Sequence, residues 1–286
     1  MSGTAVAGWN LGKLGEWTDP HPFEVTRERI VAYAAATNDE HPAHRSGDLA
    51  PPVFAIVPAF EICAQPTMAI VPGEVIMRVV HGEQDFRLHR PIVPGDRLVT
   101  RAAGVGVHGR SSGVVLVVKA QTTTEAGEPV VDAYMTSFFR GASLDVHEGE
   151  EPPAHDAPRG AELGSVLHAY DDDQTQRYSK ASGDPMPIHL DEEFAKAMGL
   201  PGIIVHGLCT MAFCSRAVIQ TCCPDDPARL KRLAVRFAKI VQPSETVTTT
   251  LSDGGEGRVA FETVSSNGNV AIKDGLAELR RPEVRT

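Results

Sequence analysis

The chain is written twice. Tyr33-Ala-Ala-Ala-Thr-Asn-Asp39 aligns with Tyr178-Ser-Lys-Ala-Ser-Gly-Asp184, and Pro42 and His44 then fall on Pro187 and His189. After a small difference in length, Pro52-Val-Phe-Ala-Ile falls on Pro201-Gly-Ile-Ile-Val. Phe86-Arg-Leu-His-Arg-Pro-Ile-Val-Pro94 falls on Val235-Arg-Phe-Ala-Lys-Ile-Val-Gln-Pro243. A repeat of this length predicts two copies of one domain, 1–140 and 161–286. The stretch 141–160 between them contains Glu148-Gly-Glu-Glu-Pro-Pro153. It is acidic, Pro-rich and poor in large apolar side chains, so it reads as a linker.

Each copy repeats one order of elements. A short amphipathic helix comes first, with Thr26 or Asp171 as its N-cap. In the second copy a loop, a short helix at 191–198 and a very apolar helix at 207–220 follow. The last is apolar on nearly every face and should be buried all round. Four strands then close each copy, at about 75–90, 97–107, 113–124 and 129–140, and at about 230–239, 246–252, 257–265 and 269–280. Short turns between consecutive strands make the sheet antiparallel. A sheet curled around an apolar helix is an α+β arrangement.

Composition narrows the function. A net charge of −10 argues against nucleic acid as a partner, because phosphate binding needs a basic face. There is no run of 18 apolar residues, so no transmembrane helix is expected. Met1 to Asn10 lack a basic region followed by an apolar one, and Glu283 to Thr286 carry no lipidation or peroxisomal signal. The five cysteines include no C-x-x-C pair and read as free thiols, which places the expected compartment in the reducing cytoplasm. Two motif matches are rejected. Gly104-Val-Gly-Val-His-Gly109 fits the dinucleotide pattern and Gly109-Arg-Ser-Ser-Gly113 the nucleophile elbow, but both need a following helix. Here Val114-Val-Leu-Val-Val follows, so a hairpin turn is expected. His41 and His44 lack a nearby third ligand, so no metal site is expected there.

The chemistry sits in the second copy. Asp184 and His189 stand five residues apart on a turn stiffened by Pro185 and Pro187. His206-Gly207 then opens the apolar helix. A carboxylate and an imidazole can share one water, deprotonating it and returning a proton to carbon. The Gly207 N–H at a helix N-terminus can stabilise developing negative charge, and the missing side chain lets a thioester approach. His206 reads as a buried histidine that shapes the pocket.

The stretch from Tyr178 to Gly207 resembles the hydratase-2 motif of the MaoC-like (R)-specific enoyl-CoA hydratases. Asp184, Pro187, His189, Asp191, Phe194, Ala195, Gly199, Pro201, His206 and Gly207 stand where that pattern wants them. Val80-His-Gly-Glu-Gln-Asp-Phe86 and Arg90-Pro-Ile-Val-Pro-Gly-Asp96 look like the first half of double hot-dog hydratases, such as the hydratase part of peroxisomal multifunctional enzyme type 2. The resemblance implies a double hot-dog fold, two antiparallel sheets each wrapped around a central helix. It implies hydration of a trans-2-enoyl-CoA to the (R)-3-hydroxyacyl-CoA, with Asp184 and His189 as the catalytic pair and Gly207 as the oxyanion donor. No cofactor is implied, since coenzyme A belongs to the substrate. A homodimer of the double unit is allowed. The chain departs from the family at Met186, where Asn is usual. The change removes a polar handle from the site; it either slows catalysis or makes room for an unusual acyl group.

Arg229, Lys231, Arg232, Arg236 and Lys239 cluster in an otherwise acidic chain and suit the phosphates of coenzyme A, with Arg236 and Lys239 as preferred contacts. Asp39 and His44 repeat the catalytic spacing, but the position matching Gly207 is Pro58, which has no N–H. Pro66 should shorten or kink the helix that follows. The first copy is therefore expected to bind the acyl chain without catalysis, and the space suits a long or bulky chain from fatty-acid or steroid side-chain oxidation. Two alternatives remain at this stage, a hot-dog acyl-CoA thioesterase and a non-catalytic acyl-CoA-binding partner.

Overall fold

A computed structural model describes residues 8–282. The readings of the first residues and of Glu283 to Thr286 concern residues wholly or partly outside that range. The first half runs β1 (His21–Glu24), α1 (Arg27–Ala36), α2 (Pro42–Arg45), α3 (Phe60–Ile70), α4 (Gly73–Ile76), then β2 (Val79–Leu88), β3 (Arg97–Arg110), β4 (Gly113–Thr124) and β5 (Pro129–Arg140). β6 (His147–Gly149) lies in the connecting segment. The second half runs β7 (Glu162–Ala169), α5 (Gln174–Ser182), α6 (Glu192–Ala197), α7 (Gly207–Cys222), then β8 (Leu230–Phe237), β9 (Thr246–Gly255), β10 (Arg258–Ser265) and β11 (Val270–Leu279). The expected strands are present. β1, β6 and β7 are additional, each too short or too polar on its own to read as a strand.

Each half is a hot dog, a sheet curled around one central helix. α7 is buried from Leu208 to Ile219 without a break. Its counterpart α3 has 11 residues against 16, and holds Pro66 inside. The two curled sheets are continuous. β2 pairs antiparallel with β8, which gives one eleven-stranded sheet in the order β1-β3-β4-β5-β2-β8-β11-β10-β9-β7, with β6 paired to β3. In the repeat alignment Asp85 corresponds to Ala234, and these two residues face each other in the β2–β8 ladder. The join is thus self-complementary, as a twofold interface between copies must be. Repeat partners meet again at Tyr33 and Tyr178, whose hydroxyls lie 3.3 Å apart.

Strand alternation sorts the join into two faces. Gln84, Phe86, Leu233 and Val235 are buried on the helix side. Glu83, Asp85, Arg232 and Arg236 lie on the outer side, where the segment 141–160 crosses them. Arg232 bonds both oxygens of Asp85, bonds Glu278, and donates to the Ala154 carbonyl. The crossing is close. A Cβ on Gly106 would stand 1.9 Å from the Glu150 carbonyl oxygen, and one on Gly109 would stand 1.9 Å from that of Leu144. Those glycines serve backbone packing on a strand, and the chain turns back into β4 as the rejected motif readings required. One N-cap is corrected. Thr26 caps α1 through the Arg29 N–H, but α5 starts after Asp173. Asp171 instead accepts from Asn38 and Arg177 and so ties the halves together.

All five cysteines are free thiols. Among the described residues, no helix is long and apolar enough to cross a membrane.

Arg232→Ala is expected to destabilise the protein by about 3 kcal/mol, because it leaves the buried Asp85 carboxylate with only the long contact to Arg87. Chemical denaturation measures this; an unchanged midpoint would refute the role of the pair.

Candidate active site

The site grows out of the end of α5. Gly183 caps that helix, and the chain turns through Asp184-Pro-Met-Pro into a single 3-10 turn at Pro187–His189. Pro187 suits the first position of that turn, where fixed φ helps and no donor is needed. Asp184 and His189 are each only 8% exposed. Asp184 Oδ1 accepts the Met186 N–H at 3.1 Å. His189 Nδ1 lies 2.8 Å from the Ile204 carbonyl. A carbonyl can only accept, so Nδ1 carries the hydrogen and Nε2 keeps its lone pair.

His206 completes the group. Its ring stacks on His189 at 3.7 Å between centroids, with 25° between planes. The Tyr178 ring packs on His206 at 4.9 Å. His206 Nε2 is 3.4 Å from the Asp184 carbonyl oxygen. The donor atoms of Asp184, His189 and His206 lie within 4.8 Å of one another. No direct hydrogen bond joins Asp184 to His189 among the described residues. Such a gap is one that a water bridges with two bonds of about 2.8 Å each. A carboxylate and two imidazoles are also a donor set for a metal. The two rings are stacked, however, and direct their lone pairs along nearly parallel planes rather than toward one point.

Burial sets the charge states. It pushes the Asp184 carboxyl up to about 6, opposed by the Met186 N–H. It pushes His189 down to about 4, opposed by the Ile204 carbonyl. His206 is held lower still by burial and then by the neighbouring His189. At neutral pH the site therefore presents a carboxylate and a neutral imidazole, two acceptors facing one space.

α7 points its N-terminus at this region. The Gly207 N–H has no acceptor among the described residues, as expected for the first turn of a helix. The Phe237 ring lies against the same residue, 3.1 Å from where a Cβ would stand. Sequence reasoning missed Phe237. Its only signal was alternation along β8, which sets it on the same face as Val235.

The other expected site residues fare differently. Met186 contributes its N–H, while the residue as a whole is 44% exposed. Arg236 is not brought to the helix tip. It stands on the outer face of β8, with Nε 2.7 Å from Glu83 and a second pair to Asp274. Arg232 and Lys231 are likewise paired to Asp85 and Glu278, and Arg229 donates to the Arg280 carbonyl. The basic cluster is thus largely neutralised by neighbouring strands. Lys239 alone of the two preferred contacts stays exposed and without an ion pair among the described residues. It lies two residues before Val241, whose carbonyl accepts the Val205 N–H beside the α7 tip.

The first-half copy has collapsed. His44 Nδ1 bonds Asp39 directly at 2.8 Å, leaving no gap for a water between those atoms. Arg216, on α7, donates to the Thr37 carbonyl and adds its charge to hold Asp39 ionised. The helix of this half begins beyond Pro58.

Comparison with known proteins places these features. The MaoC like domain model matches residues 151–274, and the FAS1-like dehydratase domain region matches residues 13–133. A 3-hydroxyacyl-thioester dehydratase Y of Mycobacterium tuberculosis is 30% identical over 285 residues, covering 93% of this chain and 96% of that protein. A probable enoyl-CoA hydratase 2 of Dictyostelium discoideum is 28% identical over 235 residues, covering 75% and 80%. A MaoC-like dehydratase from Phytophthora capsici superposes with a TM-score of 0.83 at 25% identity, covering 96% of this chain and 99% of that one. The chain is an enzyme of the MaoC-like dehydratase family.

Asp184 folds with its pKa above the ordinary carboxylate value of 3.8. The folded state holds that proton more tightly than the unfolded chain does. This stabilisation is complete below about pH 4 and is lost as pH rises through about 6. Asp184→Asn, which never ionises, should therefore exceed the parent in stability at pH 7 by on the order of 2–3 kcal/mol, and the gain should fade toward pH 4. Thermal melts at the two pH values check this; identical melting at pH 7 would count against it.

Proposed function

We propose that the protein adds water, reversibly, to a trans-2-enoyl-CoA to give the (R)-3-hydroxyacyl-CoA. The observation that carries this reading is the Asp184–His189 gap beside the free N–H of Gly207. The bound water gives one hydrogen to Asp184 and the other to the lone pair of His189 Nε2. As its oxygen attacks the β-carbon, the Asp184 carboxylate takes one proton. That proton is then delivered to the α-carbon, and Asp184 returns to its starting state. His189 orients the water throughout, and the second hydrogen stays on the new hydroxyl. The Gly207 N–H and the positive end of α7 stabilise the charge that builds on the thioester oxygen. The (R) configuration rests on the family likeness. Coenzyme A arrives and leaves with the acyl group, and Lys239, exposed and without an ion pair among the described residues, is the side chain we assign to its phosphates. The short α3, with Pro66 inside it, favours a long or bulky acyl chain, from fatty-acid or steroid side-chain oxidation.

An enoyl-CoA should lose its conjugated absorbance on mixing with the protein, without release of a free thiol. Asp184→Asn and His189→Ala should each lose about 10²–10⁴-fold in kcat while keeping native circular dichroism. Full turnover in either variant, or thiol release by the parent, would overturn the reading.

Asp184 must be ionised to take the proton, so kcat/KM for hydration should fall as pH drops through about 6. It should fall further toward 4 as His189 gains a proton and loses its acceptor. A rate profile flat between pH 5 and 7 would exclude Asp184 as the base.

A further inference from the structure

The join between the halves holds polar atoms that the fold does not need. Gln84 is 1% exposed, on the helix side of β2. Neither its Oε1 nor its Nε2 has a hydrogen-bond partner among the described residues. His81 Nε2, on the same strand, is also buried and unpartnered among the described residues. Burial pushes His81 down to about 4, opposed only in part by the nearby Gln84 side chain, and no well-aligned bond joins the two. Leaving such groups unpaired in a core is costly, and a folded chain that keeps them usually has another use for them.

The repeat provides an internal control. In the alignment of the two copies, Gln84 corresponds to Leu233 and His81 to Leu230. Both leucines are buried and apolar. The same strand in the same pairing is therefore built without an amide or an imidazole. Symmetry of the scaffold cannot account for Gln84 and His81.

Their position points to a ligand. Gln84 pairs with Val235, two residues before Phe237 on the same face of β8. That is about 7 Å along the strand. The His81 ring packs on Phe237 at 4.8 Å, and Phe237 lies on Gly207. A line of contact thus runs from the N–H assigned to the thioester oxygen, past Phe237 and His81, to the Gln84 amide inside the join. Lys239, the contact proposed for coenzyme A, is exposed whereas the Gln84 amide is buried, so on that reading of the site the amide lies on the acyl side.

We propose that His81 and Gln84 form a polar subsite for an oxygen function, hydroxyl or keto, carried on the acyl chain several carbons beyond the thioester. This deepens the reading of the active site and rests on it for the direction of the chain. The amide donates to either oxygen type and also accepts from a hydroxyl. Such a site still admits a plain chain but binds it less tightly, because filling it with methylenes leaves the amide as unpaired as it is in the empty site.

The test uses the full chain and two readouts. Saturated acyl-CoA thioesters that differ only in the position of one keto oxygen are compared with the plain chain by calorimetric binding. The matching 2-enoyl thioesters are compared by kcat/KM. One oxygen position should bind about tenfold tighter than the plain chain. Gln84→Leu, which copies the residue at the repeat position Leu233, should erase that preference, keep turnover of the plain chain, and melt no lower than the parent. A second variant, Gln84→Met, guards against misfitting by the branched side chain. If no oxygen position is preferred by the parent, or if both variants keep the preference, the subsite is refuted. Because binding is read without turnover, a failure of hydration alone would leave this outcome separately visible.

Discussion

Everything in this molecule is hung on the ladder between β2 and β8. Five residue pairs, from Glu83 with Arg236 to Arg87 with Arg232, convert two curled sheets into one. The ladder centres on Asp85 and Ala234, repeat partners that face each other. Its outer face carries opposite charges supplied by different halves, most of all Asp85 and Arg232. Those charges are half covered by the connecting segment, so partner removal is costly where an exposed pair would be nearly neutral. The inner face places β8 so that Phe237 meets the tip of α7. The architecture and the site therefore share one register, and a slip of one residue would turn Val235 and Phe237 outward.

Two copies of one motif have reached opposite electrostatic outcomes. In the first, His44 is turned onto Asp39, and Arg216 adds a cation from the other half. The carboxylate is held low and its acceptor atoms are occupied. In the second, the histidine is turned onto the Ile204 carbonyl instead. Asp184 is then left buried with only one backbone donor, which raises its pKa and keeps an oxygen free. The difference is one hydrogen bond per histidine. It separates a carboxylate tied up by its own histidine from a base that is poised for use.

Much of this is legible in the chain itself. Residue types at fixed spacing carry the repeat, the helix tip at Gly207 and the Asp184–His189 couple, because turn geometry and helix starts are local. Pro58 and Pro66 mark the degenerate half for the same reason. What cannot be read is set by long-range partners. Arg236 looks free in the sequence because Glu83 stands 153 positions earlier in the chain. Asp171 looks like a cap because its partner Asn38 lies in the other half. The rotation of His189 toward Ile204 depends on how a later loop returns. Gln84 sits in a matched segment, yet nothing in that segment shows which face of the strand it occupies or that its amide goes unpaired.

The course of the connecting segment has a further meaning. Its backbone lies so near Gly106 and Gly109 that no larger residue fits, and its Ala154 carbonyl caps Arg232. It works as a brace laid over a seam rather than as a tether. The halves adhere through their ladder and shared core, and the covalent link adds only local concentration to that adhesion. A peptide bond cut within the brace is expected to leave two polypeptides still clasped through the β2–β8 ladder.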